Sequence, residues 1–173
     1  NNELPSLKLE HAEFKTFISE NAYSEKGKDK IFFKIKTNPT SEMHEIKKIS
    51  SGGELCRFAL AIKVISQRNN LSLIVFDEVD SGIGGSVSTA VGERLRKLGQ
   101  NRQVLVVTHS PQVAVLGNDH FVVKKELQNK TTEISVKKLS YKDKVNEIAR
   151  MLSGKKITQE ALLAAKRLLD TSS

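Results

Sequence analysis

The sequence predicts an α/β fold: a parallel sheet core flanked by β-hairpins and helices, in one domain spanning residues 1–173. Three observations carry this reading. Two short apolar runs, at 71–76 and 103–108, are separated by an amphipathic helical pattern. Strand–helix–strand in that order favours parallel strands joined by a right-handed crossover. Strict apolar–polar alternation lies on both sides of this unit, and 173 residues suit one domain with one core.

The elements follow in order. Ala12, Phe14, Thr16 and Ile18 alternate with polar neighbours, as do Ile31, Phe33, Ile35 and Thr37. The polar, glycine-punctuated stretch 20–29 between them predicts a hairpin with a long loop, and Asn38-Pro39-Thr40 ends its second strand. Leu55, Phe58, Ala59, Ile62 and Ile65 form a helical stripe over 54–66. Residues 71–76 predict a buried strand running into Asp77-Glu78. Val87, Val91, Leu95 and Leu98 share one side of the next helix, and 103–108 is a second buried strand ending at His109. Phe121-Val122-Val123 and Ile134-Ser135-Val136 predict two strands around a turn near Gln128-Asn129-Lys130. Ser140 and Asp143 have capping-box spacing for a helix that turns Val145, Ile148, Ala149 and Leu152 inward and stops at Gly154. Thr158 caps a last amphipathic helix with Leu162, Ala165 and Leu169.

Composition narrows the class. Apolar residues are 38% and charged residues 28%, which excludes a disordered tail and a membrane protein. Runs such as Leu73-Ile74-Val75-Phe76 are far short of the ~20 residues that span a bilayer. The single cysteine, Cys56, forms no internal disulfide and fits a reducing cytosol. The net charge of +8 permits a polyanionic partner without identifying one.

Three positions concentrate chemistry. Ser51-Gly52-Gly53-Glu54 precedes a strong helix, whose first N–H groups have no internal partner. With two glycines allowing close approach and the helix dipole behind them, they make an anion site or, more plainly, an ordinary serine N-cap. Leu73 to Phe76 lead directly into Asp77-Glu78, at the strand end where ligands of open parallel sheets sit. The loop Asp80-Ser81-Gly82-Ile83-Gly84-Gly85 follows, too glycine-rich for a mere connection. The third position is His109, closing Val104-Leu105-Val106-Val107-Thr108.

In this order the motifs resemble the ATPase heads of the ABC/SMC superfamily of P-loop NTPases. The resemblance implies that Ser51, Gly52, Gly53 and Glu54 are the signature motif, binding nucleotide in trans. It makes Asp77 the Walker B aspartate that holds Mg2+ through water, and Glu78 the catalytic glutamate. Ser81, Gly82, Ile83 and Gly84 become the D-loop and His109 the switch histidine. Longer strings, 49–57, 76–85, 107–114 and 147–158, resemble a bacterial branch of that superfamily concerned with DNA double-strand break repair and recombination. The similarity runs from about Ala12 to the C-terminus, with Ser50 and Cys56 where that branch often has Ala and Ser. Val79-Asp80 replaces the Pro-Thr usual in transporter ATPases and disfavours them.

No Gly-x-x-x-x-Gly-Lys-Ser/Thr loop occurs in the chain; Gly27-Lys28 is the nearest echo. The resemblance therefore implies the C-terminal lobe of a split head, whose phosphate-cradling Walker A half and coiled coil precede it. The expected cofactors are ATP and Mg2+, neither held tightly by this lobe alone, which by itself is expected to lack ATPase activity. The implied partners are its own N-terminal lobe, a second copy of the head in an ATP-dependent homodimer, and DNA, with no membrane. The implied location is cytoplasmic, in association with the nucleoid. The alternatives are another SMC-family or ABC-type lobe, or a DNA-binding module using a lysine strip at Lys124, Lys125, Lys137 and Lys138, with Lys142 and Lys144 nearby.

Overall fold

The computed structural model describes residues 1–25, 27–49, 51–66, 73–128, 131–154 and 156–172. Strands β1 (Glu13–Ser24) and β2 (Gly27–Lys36) form an antiparallel hairpin, joined at its base by the two-residue β3 (His44–Glu45). Helix α1 (Gly52–Ser66) leads to β4 (Leu73–Asp77), α2 (Gly85–Gly99) and β5 (Gln103–Val107). Beyond the short α3 (Pro111–Ala114), strands β6 (Phe121–Gln128) and β7 (Thr131–Lys138) make a second antiparallel hairpin. Helices α4 (Tyr141–Ser153) and α5 (Gln159–Thr171) end the chain.

The central pair matches the expected class. β4 and β5 are parallel and in register, Leu73 opposite Gln103 and Asp77 opposite Val107. Both strands are apolar, yet only one side of each is covered. Ile74 and Phe76 are buried, whereas Leu73, Val75, Leu105 and Val107 are about half exposed, at 46%, 45%, 49% and 52%. The expectation of fully buried strands is thus corrected: α2 and its neighbours cover one face, and no described residue covers the other. Leu71, where the first strand was expected to begin, lies outside the described residues, as do Ser50, Asn129 and Lys130.

The first hairpin departs from expectation in the opposite direction. Its strands continue through the predicted loop, pairing Glu20 with Asp29 and Ser24 with Gly27. Both faces of this arm meet solvent, so polar residues are tolerated on either side and the pattern carries no sign of a strand. Gly27, at φ +99°, supplies the left-handed residue beside the turn. At the hairpin's base Phe14 packs on Phe33 and on Phe58 of α1, with ring centroids 5.5 and 5.1 Å apart.

α1 buries Phe58, Leu60 and Ala61, while Leu55, Ala59, Ile62 and Ile65 are exposed. The predicted stripe is therefore rotated. α1 is apolar on more than one side, and what packs beside it selects which side is buried. Part of that packing is the N-terminal segment, which carried no sequence signal. Leu4, Leu7 and Leu9 enter the core, and Arg57 of α1 donates to the Leu7 and Lys8 carbonyls at 2.8 and 2.7 Å.

Val91, Leu95 and Leu98 of α2 join this first core as predicted. A second cluster forms where α4 meets α5, from Ile148, Ala149, Ala161, Ala165 and Leu169. Ser140 accepts from the Asp143 amide and Thr158 from the Ala161 amide, both at 3.2 Å, as the capping pattern implied. Gly154 ends α4 at φ +76°. Leu152, expected inward, is 38% exposed; Met151 takes its place against the cluster.

His120 is half-buried just before β6. Burial pushes its pKa down; Glu147 acts the other way and Lys144 adds to the lowering. The unfolded chain therefore binds this proton more readily, so stability is full above the ordinary histidine range and falls as pH drops through it. Between pH 7 and about 5.5 the thermal midpoint of the chain should decline, and His120→Gln should flatten that slope. An equal slope in the variant would assign the loss to other groups.

Candidate functional site

The parallel pair fixes where the acidic residues stand. Asp77 is the last residue of β4, opposite Val107, and His109 follows two residues beyond the neighbouring strand. All three predicted groups, Asp77, Glu78 and His109, are exposed at the carboxyl ends of adjacent parallel strands, the usual ligand edge of such sheets. The His109 side chain is 73% exposed. Glu78 has φ +50°, a left-handed conformation that costs a residue with a β-carbon about 1–2 kcal/mol. The sharp turn it starts is closed by the Ser81 amide donating to the Glu78 carbonyl at 3.0 Å. Such strain persists where surrounding structure enforces it, and it clusters at functional sites.

The serine–glycine turn comes next to this edge by backbone contact. Ser51 caps α1, its Oγ accepting from the Glu54 amide at 3.4 Å, and both Ser51 and Gly52 are exposed. Gly53 is buried against the loop after β4. A β-carbon at Gly53 would lie 2.6 Å from the Gly82 carbonyl oxygen and 2.9 Å from Ile83 Cγ2. Gly82 itself needs its left-handed φ of +70° to present that carbonyl. One turn along α1, the Cys56 thiol donates to the Val79 carbonyl at 2.8 Å. Burial, then the Asp80 carboxylate, pushes the Cys56 pKa up, so the thiol keeps its proton. The start of α1 and the glycine loop are therefore packed directly on one another.

Asp80, which the sequence showed only as the first residue of a glycine-rich loop, is fully buried. Its Oδ2 accepts from the Thr108 hydroxyl and, at 2.9 Å, from the Ser110 amide. Its Oδ1 has no hydrogen-bond partner and lies 3.7 Å from His109 Nδ1. One carboxylate thus ties the loop after β4 to the loop after β5. An acid three residues beyond Asp77, at the same strand end, was the available signal.

The lysines do not form a single strip. Strand alternation puts Lys125 and Lys138 on one face of the β6–β7 hairpin, beside Val123 and Val136, and Lys124 and Lys137 on the other. Lys137 pairs with Asp143 at 3.1 Å and Lys138 with Asp119 at 2.8 Å, holding both carboxyls below their usual range. Lys144 donates to the Asn118 carbonyl at 2.6 Å.

The site is an open surface. Clefts lined by Glu93, Arg96 and Leu168, and by Val64, Arg94 and Asn101, contain none of the predicted residues. Among the described residues no group of three or more metal-binding side chains gathers, and no helix is long and apolar enough to cross a membrane. Asp77, with Glu78 beside it, presents exposed carboxylate oxygens, the hard donor type of which Mg2+ takes one or two beside waters and phosphate oxygens.

No family model matches the chain. Curated relatives do. It is 46% identical over 97% of its length to DNA repair protein RecN of Rickettsia bellii, 42% over 94% to that of Vibrio cholerae, and 42% over 84% to that of Bacillus subtilis. The chain spans 31%, 30% and 26% of these relatives, in their C-terminal part. Among solved structures it resembles a chain from work on ATP-driven dimerization and DNA-stimulated activation of SMC ATPases. That match has a TM-score of 0.63 at 15% identity and covers 90% of this chain and 89% of the other. It also resembles the Smc head domain of Pyrococcus yayanosii, with a TM-score of 0.64 at 16% identity, covering 85% of this chain and 27% of that one. The fold is that of a lobe of an SMC-type ATPase head.

Proposed function

Because this chain belongs to the RecN family, matching its C-terminal part, we propose that it is the C-terminal lobe of an ATP-hydrolysing head that works in DNA repair. The observation that carries the reading is the shared edge: Asp77, Glu78 and His109 stand exposed at two adjacent strand ends, and the Ser51-Gly52-Gly53 turn is fastened to the same loop system. Residues 1–173 act as one domain. The head's N-terminal lobe supplies the phosphate-cradling loop and covers the open side of β4 and β5, where Leu73, Val75, Leu105 and Val107 await a partner.

In this head Asp77 would hold Mg2+ through water, and the bound ion would supply charge neutralisation to the phosphates. Glu78 accepts a hydrogen bond from the attacking water and turns it toward the γ-phosphorus. His109 hydrogen-bonds the γ-phosphate from the neighbouring strand end. The Ser51 hydroxyl and the free N–H groups at the start of α1, with Gly52, Gly53 and Glu54, meet the γ-phosphate held by a second head. Ser81, Gly82, Ile83 and Gly84 form the D-loop between these two duties. Two ATP molecules are sandwiched at a two-fold interface. Loss of the γ-phosphate removes the bridging contact and lets the pair open, and that cycle is coupled to holding DNA. The protein works in the cytoplasm, on the nucleoid.

Ser51→Arg tests the trans contact. In the full-length protein the arginine fills the exposed anion site, and ATP-driven dimers should disappear from light scattering while ATP binding by one head is kept. Normal ATP-dependent pairing would remove Ser51 from the interface.

A further inference from the structure

We infer that Asp80 is the positioning residue for His109, its buried carboxylate holding the imidazole as the Nδ1–H tautomer and so presenting Nε2 outward. The inference deepens the proposed function and rests on His109 facing the γ-phosphate.

The geometry separates the two oxygens of Asp80. Oδ2 is committed to the Thr108 hydroxyl and the Ser110 amide, the residues on either side of His109. These bonds hold the segment 108–110 by its ends. Oδ1 is buried, makes no hydrogen bond, and has His109 Nδ1 at 3.7 Å. A buried carboxylate oxygen without a donor carries the full penalty of lost hydration. At 3.7 Å no bond is formed, and a small rotation of the exposed ring brings Nδ1–H within reach. Catalytic hydrogen bonds are often long before substrate binds and tighten in the complex. A carboxylate accepts only, so the nitrogen that meets it must carry the proton. Nε2 of the neutral ring is then an acceptor, and it is the ring protonated on both nitrogens, its Nδ1–H held by Asp80, that donates Nε2–H to the γ-phosphate.

Asp80 also opens the loop whose residues Gly82 and Ile83 pack on Gly53 at the start of α1. A shift of that loop would reach His109 through one side chain. This makes the carboxylate a physical link between the trans-acting turn and the group on the opposite strand end.

The tautomer is read by NMR of selectively 15N,13C-labelled histidine in the full-length protein, with His109→Gln used to assign the resonance. The expected result is a neutral His109 protonated on Nδ1, the reverse of the preference of free histidine. In Asp80→Asn the amide oxygen takes the Thr108 and Ser110 bonds and the NH2 group faces Nδ1, so the proton should move to Nε2. Without the carboxylate the doubly protonated ring that donates to the γ-phosphate loses its support, so the same variant should lower kcat by roughly tenfold or more with the KM for ATP little changed. A wild-type His109 protonated on Nε2 overturns the inference without any variant, even if Asp80→Asn does not fold. An unchanged tautomer in a folded Asp80→Asn does the same. If both NMR results hold and His109→Ala still turns over ATP at the wild-type rate, His109 has no part in hydrolysis. That outcome refutes both its site role and Asp80's role in the reaction.

Discussion

Replacing Glu78 by glutamine in the full-length protein is expected to lower ATP turnover by about two to four orders of magnitude, the usual worth of a positioned general base. ATP binding should survive, so ATP-bound dimers should accumulate and be seen by light scattering. The glutamine keeps the length of the side chain and the left-handed backbone, at φ +50°, and loses only the carboxylate. Glu78→Gly separates chemistry from strain. Glycine adopts that conformation freely, which relieves about 1–2 kcal/mol, against about 0.5–1 kcal/mol of added chain entropy in the unfolded state. The variant should therefore be as stable as the parent or slightly more so, and inactive. Wild-type turnover in Glu78→Gln, measured by phosphate release, would remove Glu78 from the reaction. A clear loss of stability in Glu78→Gly would mean that the carboxylate is a structural group.

The second large effect falls on Gly53. A methyl group there meets the Gly82 carbonyl at 2.6 Å and Ile83 at 2.9 Å, and the first of these is backbone that cannot rotate away. Gly53→Ala should destabilise the chain by about 1–3 kcal/mol, the range for forced overpacking. For a chain of this size that lowers the thermal midpoint by about 2–4 °C per kcal/mol. Gly52→Ala is the internal control. Nothing lies within 4 Å of a β-carbon at Gly52, and alanine favours the first turn of α1. Its stability should be unchanged or raised. Equal midpoints for the two variants would show that α1 and the glycine loop are not in contact.

The strand-end placement of the candidate residues was legible along the chain because each motif is local. An apolar strand ending in Asp77-Glu78, a glycine-rich loop and a strand ending near His109 need only their own neighbours to be seen. What could not be seen is which residues serve two segments at once. Asp80 lies next to Ser81 in sequence, yet its partners Thr108 and Ser110 are 28 and 30 residues away. Gly53 and Gly82 were each read for the ligand that its own motif could meet, and nothing along the chain signalled that they touch one another. The lysine pairs failed for a different reason. Adjacent residues of a strand point to opposite faces, so Lys124-Lys125 and Lys137-Lys138 divide their charge between two surfaces.

By itself the sequence determined the α/β class, the parallel order of β4 and β5, the caps at Ser140 and Thr158, and the positions of the acidic pair and His109. Periodicity, caps and strand-end motifs are properties of a few adjacent residues and survive without knowledge of the rest. Only the tertiary structure decided which side of α1 is buried, that the N-terminal leucines complete the core, and that one face of the central strands is left half exposed by the described residues. Burial is a relation between segments. An apolar residue states that it can be covered, and only the packing of distant parts of the chain determines whether it is.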